Sequence, residues 1–244
     1  MTVTLADAEN RNALGARLIQ GLFDAIAAAN ADDDVRAVVI TNEGSTFCAG
    51  ANLKERQGQT DYDDRGASFV DLLEAVQASP TPIIGRIAGH VVGGGNGLAS
   101  SLDISIASED VKFGFTEVRL GVAPAIISVV CLPKMRRGEA MEAFLRGNRF
   151  PSAKAAELGL ITRAVPADKL DAAVDEVVTD IKKGGPNALG FAKRLVYDVP
   201  EMDQAAAFKS TSRLSAKLFR GTEAAEGVAA FLGKRKPSWA DDGD

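Results

Sequence analysis

Leu14, Leu18, Leu22 and Ile26 recur at every fourth position, with Ile19 and Phe23 beside them. Side chains spaced this way share one face of a helix, so the segment after Asn12-Ala13 reads as an amphipathic helix, closed by Asn30 and the acidic run Asp32 to Asp34. Val35 to Thr41 is short, β-branched and apolar almost throughout, the pattern of a strand covered on both faces in a parallel sheet. Asn42 to Gly50 then reads as a loop. A second helix is predicted over Asp64 to Ala78, stopped by Ser79-Pro80, and Pro82 to Ala88 resembles another buried strand. Strand, helix and strand alternate, which predicts an α/β fold.

Gly89 to Gly97 is too rich in glycine for regular structure and reads as a tight strand-to-helix turn, with a short helix over Leu98 to Leu102. Asp103 to Ala107 and Val111 to Phe115 read as strands on either side of the turn Ser108-Glu109-Asp110, and Thr116-Glu117 opens the next element. From Pro151 the pattern changes. Apart from a short strand over Leu160 to Val165, apolar positions recur with helical spacing through Leu170 to Ile181, Pro186 to Tyr197, Met202 to Phe219 and Glu223 to Phe231. This predicts a core over residues 1–185 and a helical C-terminal region over residues 186–244, with Lys234 to Asp244 as a loose tail.

Composition narrows the classes of function. The 244 residues suit one main core, and a formal net charge of -5 gives no basic footprint for nucleic acid. Cys48 and Cys131 lack both the dense even spacing of a disulfide framework and the clustering of a zinc site, so they are expected to be reduced and packed as small hydrophobes. No apolar run approaches the ~18 residues of a membrane helix, and the start of the chain lacks the pattern of a signal peptide, which predicts a cytoplasmic protein.

Two loops and one carboxylate carry candidate chemistry. Glycines at 93, 94, 95 and 97 let a backbone approach a ligand closely, and a helix starting there presents unpaired N–H groups and a positive dipole end. Such a site stabilises a developing negative charge, although a glycine cluster is as often just a tight turn. A dinucleotide-binding loop fails at one residue: Gly-x-Gly-x-x-Gly starting at Gly93 needs glycine where Leu98 stands. The loop Phe47 to Lys54 also exposes backbone donors beside small residues. Glu117 sits among apolar neighbours, where burial raises a carboxyl pKa toward the range useful for proton transfer; a Thr-Glu pair before a helix is otherwise ordinary capping chemistry. His90, the single histidine, is read as a backbone-bonding side chain beside the glycine turn.

Taken together, Ala49-Gly50-Ala51-Asn52-Leu53-Lys54, Gly93-Gly94-Gly95 and Phe113 to Gly121 resemble, in order and spacing, the enoyl-CoA hydratase/isomerase (crotonase) superfamily along nearly the whole chain. The resemblance implies a crotonase-like ββα spiral with a helical trimerisation region, assembled as a homotrimer or a dimer of trimers. It implies that the N–H groups of Ala51 and Gly94 grip a thioester carbonyl and that Glu117 moves the proton. Ala49, Gly93, Gly95 and Gly97 would line the substrate site, with Lys54, Phe231 and Lys234 toward CoA. Asp103 resembles a structural acid. Neither a metal nor a redox cofactor is implied, CoA being part of the acyl-CoA substrate.

The chain departs from that pattern at Gly97, where two-glutamate hydratases carry a second acid. A Δ3,Δ2-enoyl-CoA isomerase needs only one base, but Thr116 to Ser128 looks like bacterial hydratases of the methylglutaconyl-CoA type, some of which also have glycine there. Hydratase is the first expectation, with the isomerase and a catalytically silent acyl-CoA-binding paralogue as alternatives. Relatives also usually have a strand ahead of the one over Val3 to Leu5, so an open sheet edge is expected here.

Overall fold

The computed structural model describes residues 1–56 and 66–240. The chain runs through β1 (Thr2–Leu5), α1 (Ala16–Ala31), β2 (Val38–Asn42), β3 (Thr46–Cys48), α2 (Leu53–Arg56) and α3 (Phe69–Ala78). Next come β4 (Ile83–Ile87), β5 (His90–Val92) and α4 (Gly94–Ser101), then β6 (Ile104–Ser108), β7 (Lys112–Gly114) and α5 (Ala125–Cys131). The remaining elements are α6 (Arg137–Arg146), β8 (Arg149–Pro151), α7 (Ser152–Glu157), β9 (Arg163–Val165), α8 (Leu170–Lys182), α9 (Pro186–Asp198), α10 (Gln204–Phe219) and α11 (Thr222–Leu232).

Two sheets alternate along the sequence. One has the order β1-β2-β4-β6-β9 and is wholly parallel, while β3-β5-β7 are parallel and β8 closes the second sheet antiparallel to β7. Each turn of chain sends a longer strand to the first sheet, a three-residue strand to the second, and a helix back, which makes the expected ββα spiral. β1 lies at the edge. Alternate residues of the first sheet face different layers: Val38, Ile40, Ile83 and Ile87 enter the main core with α1 and α3, whereas Ile84 and Ile106 pack on Leu170 and Val174 of α8.

The helices expected from periodicity are present, with informative shifts at their ends. α1 starts at Ala16, because Leu14 is held sideways: its N–H donates to the Gly50 carbonyl at 2.7 Å and its carbonyl accepts from Asn52 at 3.4 Å. α3 starts at Phe69 with a capping box in which the Ser68 hydroxyl accepts the Asp71 N–H and the Asp71 carboxylate accepts the Ser68 N–H. The expected start of that helix, at Asp64, lies outside the described residues. The stretches read as loops at 42–50 and 89–97 each contain a short strand, β3 and β5.

The C-terminal helices are anchored by polar contacts rather than by a shared core. Lys193 of α9 reaches Asp103 at 3.0 Å and donates to the Val76 carbonyl at 2.7 Å. Asp103 also accepts the Ile83 N–H at 2.8 Å, the work of a structural acid. Within the expected loose tail, residues between 235 and 239 bond back to the body of the chain. Arg36 donates to the carbonyls of Trp239 and Gly184 at 2.7 and 2.5 Å, and Arg235 forms a two-pronged pair with Glu226 at 2.6 and 2.8 Å. No helix among the described residues is long and apolar enough to cross a membrane.

Candidate active site

The loops that follow β3 and β5 lie far apart in sequence and meet because these strands are neighbours, with Thr46 opposite His90 and Cys48 opposite Val91. Their contact requires glycine on both sides. Gly93 has φ 55° and ψ -129°, outside the range of L side chains, and a Cβ on Gly50 (φ 84°) would lie 2.8 Å from the Gly94 nitrogen. Ala51 is in ordinary contact, its nitrogen 3.7 Å from where a Cβ on Gly94 would stand.

Backbone direction sets what this junction offers. Because the carbonyl of Gly50 points at Leu14, the N–H of Ala51, in the same trans peptide, points the other way. Gly94 is the first residue of α4, where an N–H has no partner inside the helix. Neither N–H has a backbone acceptor among the described residues. Both residues are half-buried, and their nitrogens lie at the same junction of the two loops. The remainder of α4, Gly95 to Ser101, is buried, and its last carbonyls are satisfied by side chains: Ser101 on Leu98, Ser105 on Ala99 and the Lys134 ammonium on Ser100. The cation at the C-terminal end complements the helix dipole, whose positive end is at Gly94.

β7 pairs with β5 on the other side, Val92 opposite Gly114, and thereby brings Glu117 to the same place three residues later. Glu117 opens a 3-10 turn, and its Oε1 lies 3.6 Å from where a Cβ on Gly93 would stand. Its Oε2 is buried and lacks a hydrogen-bond partner. Burial pushes the carboxyl above the usual carboxylate range. An acid with one unpartnered oxygen beside two free N–H donors can exchange a proton with a molecule whose oxygen is held by those donors.

Gly97 lies within buried α4, and its missing side chain has been replaced by neighbours. A Cβ there would stand 2.3 Å from Ile127 Cγ2 and 3.5 Å from the Phe69 ring. Gly95 faces the Cys48 carbonyl, and the Ala49 N–H donates to the Arg11 carbonyl at 3.1 Å. Lys54 is exposed on α2, two residues beyond Asn52. Phe231 is exposed near the end of α11, and Lys234 is exposed two residues beyond that helix. His90 Nδ1 accepts the Lys112 N–H at 3.1 Å, the backbone role expected of it. Burial pushes the thiols of Cys48 and Cys131 up to about 12, which keeps them un-ionised. No group of three potential metal-ligating side chains occurs among the described residues. The sequence reading missed Ile127 and Phe69, whose role is visible only once α3, α4 and α5 pack, and Asn96, the one polar side chain between Gly93 and Gly97.

Comparison with known proteins adds an independent observation. The model of the enoyl-CoA hydratase/isomerase family matches residues 1–242, nearly the whole chain. The protein belongs to this family. Among enoyl-CoA hydratase/isomerase relatives, a Rhizobium meliloti protein named "Probable enoyl-CoA hydratase" is 34% identical over 235 residues, covering 96% of this chain and 91% of its own. The crystal structure of an enoyl-CoA hydratase from Mycobacterium smegmatis superposes with a TM-score of 0.89 at 30% identity, covering 98% of this chain and 95% of that one. An enoyl-CoA hydratase structure from Mycobacterium avium is 38% identical, with a TM-score of 0.72 and coverage of 98% and 92%.

Proposed function

We propose that this protein is an enoyl-CoA hydratase in which Ala51 and Gly94 bind the thioester oxygen and Glu117 is the single acid–base. The observation that carries this reading is that two N–H groups without backbone acceptors lie at the glycine junction that the Glu117 carboxyl also borders through Oε1. Donors aimed at the thioester oxygen draw charge from the conjugated double bond and leave C3 electrophilic. Glu117, as carboxylate, takes a proton from water as its oxygen bonds to C3; the π electrons move onto the thioester oxygen as an enolate. Glu117 then returns the proton to C2, so one water is added and the enzyme is unchanged. Its raised pKa suits both halves of the cycle.

The filled space at Gly97 favours one-carboxylate chemistry, and this keeps a second reading alive. A Δ3,Δ2-isomerase would use Glu117 to move a proton from C2 to C4 with no water. The names of the relatives favour hydration. The wider reading takes an acyl-CoA ester as substrate with no further cofactor. Lys54 and Lys234 would lie toward its phosphates and Phe231 toward CoA, with Ala49, Gly93, Gly95 and Gly97 shaping the acyl site. It also takes residues 186–244 as an oligomerisation region of a trimer or dimer of trimers, and a cytoplasmic location.

Purified protein incubated with crotonyl-CoA is expected to lose the conjugated thioester absorbance, and Glu117→Gln to lose roughly 10² to 10⁴ of that rate. Appearance of that absorbance from 3-hexenoyl-CoA, with none lost from crotonyl-CoA, would establish the isomerase. Equal binding of CoA esters by wild type and Glu117→Gln, with no turnover in either across branched and dicarboxylic enoyl-CoAs, would make the protein a silent binder.

A further inference from the structure

The side chain of Asn96 is fully buried. Its Nδ2 donates to the carbonyls of Gly93 at 3.0 Å and Gly114 at 2.9 Å. Two carbonyl acceptors fix the amide's orientation, since the flipped amide would set its oxygen against both. The simplest account, rescue of orphaned carbonyls, does not explain these bonds. Gly93 O already accepts the Asn96 N–H at 2.9 Å, and Gly114 O already accepts the Gly93 N–H at 3.0 Å. The amide supplies second bonds, and it leaves its own Oδ1 buried without a partner, an arrangement that ordinarily costs stability.

What the two bonds touch is specific. The Gly93 carbonyl belongs to the same peptide unit as the Gly94 N–H, so a donor on its oxygen pulls electron density from the nitrogen and makes that N–H a stronger donor. It also fixes the direction in which the N–H points. The Gly114 carbonyl ends β7, three residues before Glu117. One amide therefore clamps the peptide that carries the donor to the strand that delivers the acid.

We infer that Asn96 is a positioning residue: it orients and polarises the Gly93–Gly94 peptide and sets the distance between the Gly94 donor and Glu117. The inference rests on the proposed thioester reading. It touches no substrate atom itself, and its effect is read at the bound carbonyl.

The test is the infrared stretch of the thioester carbonyl of an enoyl-CoA bound to wild type, Asn96→Leu and Asn96→Ser, together with kcat, KM and thermal melts. Wild type is expected to shift the stretch to lower wavenumber on binding. Asn96→Leu should lose much of that shift and on the order of tenfold to a hundredfold in kcat with little change in KM, while Asn96→Ser, with one donor, falls between. Glu117→Gln should keep the shift and lose turnover. A folded Asn96→Leu with wild-type shift and kcat would overturn the assignment, as would loss of turnover with the shift intact. Loss of the cooperative melt in both variants would make Asn96 a folding residue and overturn it too. Absence of a shift in wild type itself would instead bring down the thioester reading, which keeps the two failures distinct.

Discussion

Glu117 is a residue whose chemistry and stability pull in opposite directions. Burial with an unpartnered Oε2 disfavours its carboxylate, so its pKa is higher in the folded chain than in the unfolded one. Between those two values the native state holds more protons than the unfolded state, and stability then falls as pH rises. The contribution is therefore most favourable below the ordinary glutamate range and is lost as pH rises through the raised value. Glutamine carries no such charge. Melting temperatures of wild type and Glu117→Gln, measured from pH 4 to pH 8, should diverge in favour of the variant as pH rises; Asp103, also pushed up by burial, is common to both and cancels. A gap that is constant, or that closes with rising pH, would show that Glu117 is not destabilised as a carboxylate. Glu117 was legible in the sequence from its apolar surroundings and its distance from the glycines. Its unpartnered oxygen was not, because that depends on what β5 and β7 place around it.

At the scale of elements, the missing side chain at Gly97 is a packing decision between α4 and α5. Ile127 Cγ2 occupies the space, 2.3 Å from a Cβ at that position, so Gly97→Ala should destabilise by about 1–3 kcal/mol through overpacking. Ile127→Ala removes the nearest atom, although its own Cβ remains at 2.9 Å, and alone costs about 2–5 kcal/mol as a cavity. The double variant should then be less damaged than the sum of the two, by about 0.5–3 kcal/mol, in a urea-unfolding cycle. Simple additivity would mean that the helices do not press together at Gly97. Helices such as α8 to α11 and strands such as β2 and β4 show their period within one segment, and their positions were readable. The three-residue strands β3 and β5 are too short to display alternation, and their pairing joins Thr46 to His90 across more than forty residues. The glycines marked where the backbone had to come close, but not what they came close to.

The whole molecule carries apolar surface that one chain cannot cover. Phe208 and Phe219 on α10 and Phe231 on α11 are 67%, 75% and 82% exposed, and the C-terminal helices bury few of their own side chains. A second apolar region, of about 540 Å³, opens on α6, lined by Leu132, Met135, Ala140, Met141 and Phe144 with Arg137 beside them. Exposed apolar surface of this kind marks an interaction site. Projecting rings at one place and a greasy recess at another suit a head-to-tail contact between copies, which makes a ring where the rotation closes, instead of a two-fold pair. The proposed assembly is a ring of three, for which sedimentation equilibrium should give about three times the 25.5 kDa chain, or twice that for paired trimers. Phe208→Asp with Phe219→Asp should shift the mass toward the single chain while leaving the spiral core and its circular dichroism in place, since neither ring contributes to that core. A wild-type protein that sediments as a monomer across micromolar concentrations would sink the assembly. If the double variant is monomeric yet still hydrates crotonyl-CoA with an unchanged kcat and a raised KM, the division of labour becomes concrete: chemistry in the spiral of one chain, and part of CoA binding from its neighbour.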